Sequence, residues 1–521
     1  MSSAEQGTHE VDVAVVGAGF GGLACALTLA SAGARVSLHE ALRYPGGCAS
    51  TFERGGARYE SGATLFAGFG PGQLFDRWVR EHALPVRFEA IDPMIELRTS
   101  TVSLAVGRSR EEVRDRLAAL PGAPREGLRT FFDEQREVAD ALWALFDEPA
   151  LLPPFDLRAL LAHLGRTPRY FPVLRRIGRP LGAVLEAHGV AGFAPLRTYL
   201  DAMCQITVQT DAARAEAPFA LSAIDYPFRG TGHVHGGIGE LAWALFRAVA
   251  ARGGLVRASD RVQAIAREGE AFVLRARKGT VRARRVVLNL LPADAAALMG
   301  VALDARRRRL ARAVDDGWGA VMLYLQLAPG APLRDAAHHL ELVADDARPF
   351  VEGNHVFASL SSAHEDRAPG GRRTVTVSTH VRVSELRKLD EPARAARIGA
   401  IQTAMRETIR LRAPELDAAV VHAMPGSPRT FARFVGRSEG LVGGIPRIAG
   451  LGNYRWLGPF AIAPRAYLVG DSVFPGQSTL ATALGGVRTA ELLLRELGSR
   501  RELGSRRALA PTTVGASVTA R

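Results

Sequence analysis

Residues 11–16 (VDVAVV) form an almost unbroken apolar, β-branched run, the pattern of a strand buried on both faces of a parallel sheet. A helical pattern over about 20–32 follows, closed by Gly33, and 34–39 reads as a second strand. From about residue 70 to 218 the texture turns helical. Stretches 111–120, 125–146, 157–164 and 196–208 carry apolar residues at three- and four-residue intervals, punctuated by Pro153, Pro154, Pro172 and Pro180. Strand texture returns at 262–265, 272–276 and 286–289, and again at 320–327, 356–361 and 374–381. A long amphipathic helix is expected over 391–411, a strand over 466–469 and a helix over 480–494.

This order predicts an α/β fold of two interleaved domains. Segments 11–100, 225–295 and 456–495 are assigned to the first domain, 101–224 and 296–455 to the second. Residues 150–181, rich in Leu, Pro, Phe and Arg, read either as an amphipathic lid at a lipid interface or as a plain helical layer with buried leucines. Residues 1–10 and 496–521, the latter with ELGSRR occurring twice, are read as disordered termini.

Gly17, Gly19 and Gly22 stand after the first strand in the order G-x-G-x-x-G. The first glycine permits a tight turn, the second lets a pyrophosphate approach the backbone, and the third lets the helix lie close to the strand. The helix aims its N-terminal N–H groups and dipole at the phosphates. Glu40 closes the second strand, where an acid accepts hydrogen bonds from an adenosine ribose. Alone, the glycine pattern is equally a glycine-rich turn; with strand, helix, second strand and acid at the required spacings it marks a dinucleotide site. A second device of this kind ends the chain. The strand over 466–469 leads to Gly470 and Asp471, and after a Pro-Gly loop Thr479 and Leu480 open a helix whose N–H groups can face negative charge.

The first motif resembles a longer fingerprint, GxGxxGLxxAxxLxxxGxxVxxxExxxxxGG, met at Leu23, Ala26, Leu29, Gly33, Val36, Glu40, Gly46 and Gly47. That fingerprint belongs to FAD enzymes of the amine-oxidase and polyene-desaturase superfamily. Residues 46–64 resemble the GGCAGTF…GAT segment of the phytoene desaturase, carotenoid isomerase and retinol saturase group, and GDSVFPGQ over 470–477 resembles that group's terminal FAD motif. The resemblance implies a Rossmann-like, GR2-type FAD domain, the first of the two, interleaved with an α+β substrate domain, the second. Gly17, Gly19, Gly22, Glu40, Gly46 and Gly47 would surround the cofactor, Val262 would give backbone hydrogen bonds to the adenine, and Asp471 would hold the ribityl hydroxyls. Gly470, Thr479 and Leu480 complete the flavin side. Arg43 is a candidate phosphate contact, although the relatives place a basic residue two or four positions after the acid and Arg43 stands three after.

Composition changes this picture little. The excess of 66 Lys and Arg over 53 Asp and Glu, a net charge of +13, would suit a nucleic-acid binder. It is nearly all Arg, however, and spread along the chain. Its densest run, Arg306 to Arg309 with Arg312, fits the solvated face of a helix. No nucleic-acid partner is expected, whereas a basic surface favours anionic membrane. Cys25, Cys48 and Cys204 are too scattered for a disulfide framework, and the histidines show no ligand spacing, so no metal is expected. No run of 18 apolar residues occurs and the first ten residues are polar, which points to a cytoplasmic protein with peripheral access to the inner membrane face.

The resemblance implies an FAD-dependent oxidoreductase that desaturates or isomerises a long apolar isoprenoid or carotenoid by hydride transfer to flavin N5. With one G-x-G-x-x-G in the chain, the expected acceptor is diffusible, oxygen or a quinone. No nucleophile triad, carboxylate pair or acid–base couple stands out. An unactivated C–H bond offers no pKa to exploit, so the protein's task is positioning, and no catalytic residue is assigned. Two alternatives stay open. One is an FAD oxidase or dehydrogenase of another apolar metabolite, such as a terpenoid or polyketide. The other is a non-enzymatic lipid binder resembling the prenyl-protein escort group.

Overall fold

The apolar run at the start of the chain becomes the strand His9–Val16, buried from Val11 onward. It lies in the middle of an eight-stranded sheet. On one side it pairs in parallel with Val36–His39, which pairs in parallel with Leu255–Arg257. On the other it pairs in parallel with Gly279–Leu288. That long strand carries on its far edge the antiparallel meander of Ala271–Ala276 and Val262–Glu268 and, beyond Val286, the parallel strand Ala466–Leu468. The computed structural model describes residues 9–498. The tails expected to be disordered, 1–8 and 499–521, lie outside the described residues, while His9 and Glu10 join the first strand and Glu496 the last helix.

The helix Phe20–Ser31 (FGGLACALTLAS) is buried on nearly every side, as its composition requires. It packs between the sheet and the helices Ile238–Ala251 and Thr479–Glu496. Its approach to the last helix is close: a Cβ on Gly486 would stand 2.2 Å from the Gly21 carbonyl oxygen.

A second eight-stranded sheet contains, in spatial order, Val420–Gly426, Trp318–Leu327, Arg373–Arg382, His355–Leu360, His338–Val343, Ile95–Arg98 and Ser103–Val106, with Leu441–Val442 beside Trp318–Leu327. The domain boundary expected at residue 100 therefore falls before Ile95, because Ile95–Arg98 pairs in parallel with His338–Val343. A four-residue alternation, Ile95 and Leu97 in, Glu96 and Arg98 out, is too short to announce itself by period. The outer face of this sheet is aliphatic and is covered by the helix Glu391–Arg412 through Ile398, Ile401, Met405 and Ile409. The inner face alternates to polar groups such as Tyr324, Thr376, Ser378 and Ser359 and looks toward a helical layer.

Within that layer the helix expected over 157–164 runs on as Leu157–Leu174, through Pro168 and Pro172. Each proline strips the carbonyl four residues back of its N–H partner. Leu164 and Pro168, which carry those carbonyls, are exposed, so water takes the place of the lost donors.

Candidate functional site

The carboxyl ends of the parallel strands converge on one point. Gly17 follows His9–Val16, Glu40 follows Val36–His39, Asn289 follows Gly279–Leu288, and Gly470 lies just beyond Ala466–Leu468. All four line a single cavity of about 920 Å³. Crevices at the carboxyl ends of such strands are where open α/β sheets bind ligands.

The turn at its base is built by contact. A Cβ on Gly22 would lie 2.0 Å from the Gly17 carbonyl oxygen, so only glycine lets the helix sit this close to the strand. No side chain caps the helix Phe20–Ser31, and Gly17, Gly19, Phe20 and Gly21 line the cavity. The positive end of the helix therefore meets the cavity as backbone alone. Glu40 is buried, and its two carboxylate oxygens accept from the Ala18 and Leu42 N–H groups, both at 2.8 Å. Burial raises its pKa above the usual carboxylate value, and those backbone donors offset only part of the rise. Behind it Asp260 accepts from the Lys278 N–H at 2.6 Å and meets His39 Nδ1 at 2.9 Å, which fixes the loop that brings Arg261 and Val262 to the cavity. Gly46 (φ +112°) bridges to Gly19, and both Gly46 and Gly47 line the cavity. Arg43 does not; it is exposed, and Arg261 and Arg437 are arginines that do line the cavity.

At the C-terminal motif Gly470 (φ +112°) and Asp471 line the cavity. Asp471 is not free: Arg437 Nη2 donates to both its oxygens, at 2.9 and 3.1 Å. Ser478 caps the last helix by accepting from the Ala481 N–H, and Thr479 lines the cavity. Leu480 turns away into the core around the helix Phe20–Ser31. Asn289 joins the two motifs. Its amide accepts from the Gly19 N–H at 3.1 Å and donates to the Val469 carbonyl at 3.3 Å. Sequence reasoning missed Asn289, Arg261 and Arg437. The one signal for Asn289 was a polar residue directly after the apolar run 286–288, and for the two arginines there was none.

The same cavity is lined by Gly46, Gly62 and Thr64, by Ala320, Met322 and Phe357, and by Leu145, Phe146, Leu152, Phe155, Val173 and Leu457. Leu152, Phe155 and Val173 belong to residues 150–181, where Leu157, Leu164 and Phe171 are 73%, 69% and 61% exposed.

A sequence model described as flavin containing amine oxidoreductase matches residues 20–423. The chain belongs to this family. Prolycopene isomerase of Daucus carota is 23% identical over 513 residues, which is 94% of this chain and 81% of that one. Hydroxyneurosporene desaturase of Cereibacter sphaeroides is 27% identical over 514 residues, 94% and 98% of the two chains. Among solved structures, an oxidoreductase from Methanosarcina mazei superposes with a TM-score of 0.61 at 18% identity, covering 92% of this chain and all of that one. Putrescine oxidase bound to putrescine gives 0.60 at 16% identity, covering 94% and 100%. These two likenesses carry the fold.

The protein is an FAD-dependent oxidoreductase with a Rossmann-like cofactor domain, and its residues fit the cofactor. An uncapped helix N-terminus, backbone that a Cβ would obstruct, and a buried acid at the end of the neighbouring strand together make a cradle for a dinucleotide. Gly17, Gly19, Glu40, Gly46, Gly47, Val262, Gly470, Asp471 and Thr479 share that cavity. Gly22 shapes it from behind, Leu480 anchors the last helix, and Arg43 stands apart.

Proposed function

We propose that this enzyme removes hydrogen from, or isomerises, a long apolar isoprenoid of the carotenoid class, with Gly17, Gly19, Gly22, Glu40, Gly46, Gly47, Val262, Gly470, Asp471, Thr479 and Leu480 building the FAD site. The reading is carried by one cavity that is lined both by the glycine turns of the cofactor site and by apolar side chains such as Phe155 and Leu457. The activities for which the prolycopene isomerase and hydroxyneurosporene desaturase relatives are named support it.

Bound FAD supplies a two-electron, hydride-accepting centre. What the chain itself does is hold and dry the reactants. Met322, Phe357 and Leu145 wall the cavity with apolar surface, and a rod-shaped hydrocarbon in such a slot loses the freedom that makes the uncatalysed encounter rare. The electrons leave to a diffusible acceptor, oxygen or a quinone.

The exposed face of the helix Leu157–Leu174 is the entrance. Leu157, Leu161, Leu164 and Phe171 project beside Arg158, Arg166 and Arg169, apolar side chains among cations, which suits the headgroup boundary of an anionic membrane. The enzyme works peripherally on the cytoplasmic side of such a membrane and draws its substrate from the bilayer.

The test is expression in a host that accumulates phytoene and acyclic carotenes, followed by pigment chromatography. A red-shifted product or a new geometric isomer is expected. Unchanged pigments from a protein that purifies yellow, with absorbance near 450 nm, would remove the carotenoid assignment.

A further inference from the structure

Three polar side chains from distant segments form one hydrogen-bonded chain that ends at the cavity. Thr64 lines the cavity. Its Oγ1 is hydrogen-bonded to Ser359 Oγ at 2.6 Å, and Ser359 Oγ to His339 Nδ1 at 2.8 Å. Ser359 and His339 are direct cross-strand partners in the second sheet, so strand register sets their contact. The Ala63 N–H donates to the Cys48 carbonyl at 3.0 Å, which ties the Thr64 segment to the glycine pair of the cofactor site.

His339 is buried, and its ring stacks on Phe357, another residue of the cavity wall, with ring centres 5.4 Å apart. The chain to Thr64 is the only hydrogen-bonded contact of this imidazole among the described residues, because Nε2 is buried without a partner. A half-satisfied imidazole in a packed core is destabilising, and an apolar side chain would fill the place better. Burial, aided by the neighbouring His233 and His338, holds its pKa down at about 3. The ring therefore stays neutral, with a lone pair to offer. His233 is itself paired with Glu365 at 2.6 Å, and Glu341, two positions on along the same face, is kept protonated by burial up to about pH 8.

We propose that Thr64, Ser359 and His339 carry away the proton released in the reaction, an inference that rests on the proposed function and selects its desaturating form. Loss of two hydrogens from neighbouring carbons sends one to the cofactor as hydride, with the electron pair of its C–H bond. The cation left on the substrate sheds the other as a proton, and that second C–H pair becomes the new double bond. The apolar wall of Ala320, Met322 and Phe357 offers no base for it. Thr64 Oγ1 takes the proton while passing its own hydrogen to Ser359, and Ser359 passes its own to His339 Nδ1. Hydroxyl hydrogens rotate and a neutral imidazole has one acceptor nitrogen, so the chain can run in this direction. A carbocation is a far stronger acid than imidazolium, so a ring of low pKa suffices. Oxygen or a quinone, in reoxidising the flavin, takes up two electrons and two protons, and the imidazolium supplies one of those protons.

The experiment is anaerobic stopped-flow bleaching of the flavin band by phytoene in detergent, with purified FAD-loaded enzyme. Thr64→Val keeps the shape and removes the hydroxyl; it is expected to slow bleaching about 100-fold, and Thr64→Ser to restore it. Wild type should bleach more slowly in D2O, since the hydroxyl hydrogens that move are exchangeable, and in Thr64→Val that solvent effect should vanish. Independently of turnover, the 15N spectrum of histidine-labelled protein, less that of His339→Gln, should show a neutral imidazole between pH 5 and 8. A charged His339 at pH 7, or an unchanged rate and solvent effect in Thr64→Val, overturns the relay and leaves the carotenoid reading standing. So does a solvent effect that survives in Thr64→Val and disappears in His380→Phe, which would give the proton to the imidazole that lines the cavity directly. No bleaching of the wild-type enzyme removes the carotenoid reading itself, and the relay with it.

Discussion

Arg437 grips Asp471 across the flavin-side motif, one guanidinium nitrogen donating to both carboxylate oxygens at 2.9 and 3.1 Å. Both side chains line the cavity, so the pair is part of its wall and presents the aspartate in a fixed orientation. Losing the cation leaves a largely buried carboxylate without its partner. Arg437→Met is expected to lower unfolding free energy by roughly 1–3 kcal/mol. It should also lower the ratio of absorbance at 450 nm to that at 280 nm in purified protein. A variant with full FAD content would separate the pair from cofactor binding.

Gly22→Ala tests the base of the site. The added methyl would stand 2.0 Å from the Gly17 carbonyl oxygen, against backbone that cannot rotate away. The helix Phe20–Ser31 must shift on the sheet, at a cost of about 3 kcal/mol. Urea denaturation should show that loss and the protein should purify colourless. Wild-type stability with bound flavin would contradict the close-packing argument.

Glu341, on the inner face of the second sheet, is buried, and neither of its oxygens has a partner. Burial lifts its pKa from 4.5 to about 8. The folded state then keeps a proton that the unfolded chain releases. Its contribution is complete below pH 4.5 and is lost as pH rises toward 8, by on the order of 4–5 kcal/mol. Glu341→Gln carries no proton to lose. Relative to wild type it should gain stability steadily between pH 4.5 and 8 and then level off; a flat difference in denaturation midpoints would show that the carboxyl is ionised in the fold.

The proposal that the helix Leu157–Leu174 is the entrance makes a prediction about membranes. Leu161→Ser, Leu164→Ser and Phe171→Ser together remove exposed apolar surface at positions that do not line the cavity. Co-sedimentation with vesicles containing anionic lipid should fall at least several-fold while FAD content holds, and added salt should weaken the wild-type association. Equal sedimentation of the triple variant would move the docking surface elsewhere.

What residue spacing could announce, it announced. The turn from Gly17 to Gly22, the acid at Glu40, the terminal Gly470 and Asp471, and the helix Glu391–Arg412 were all readable because each is a local device, a fixed period or a short pattern within one segment. The resemblance carried by those motifs named the cofactor class. Other features belong to contacts between distant segments. Arg43 was chosen for its place beside the acid, yet it faces solvent, and Arg261 and Arg437 reach the cavity from remote loops. Leu480 follows a cofactor motif, yet helical rotation turns it into the core. Asn289 links Gly19 to Val469 only because three strands end side by side. Gln209, Ser378, His380 and Arg447 also line the cavity, single polar positions that repeat with no period. Local periodicity reports which face of a segment is buried; it carries no information about which buried faces will meet, and that depends on strand order, register and the closure of the cavity.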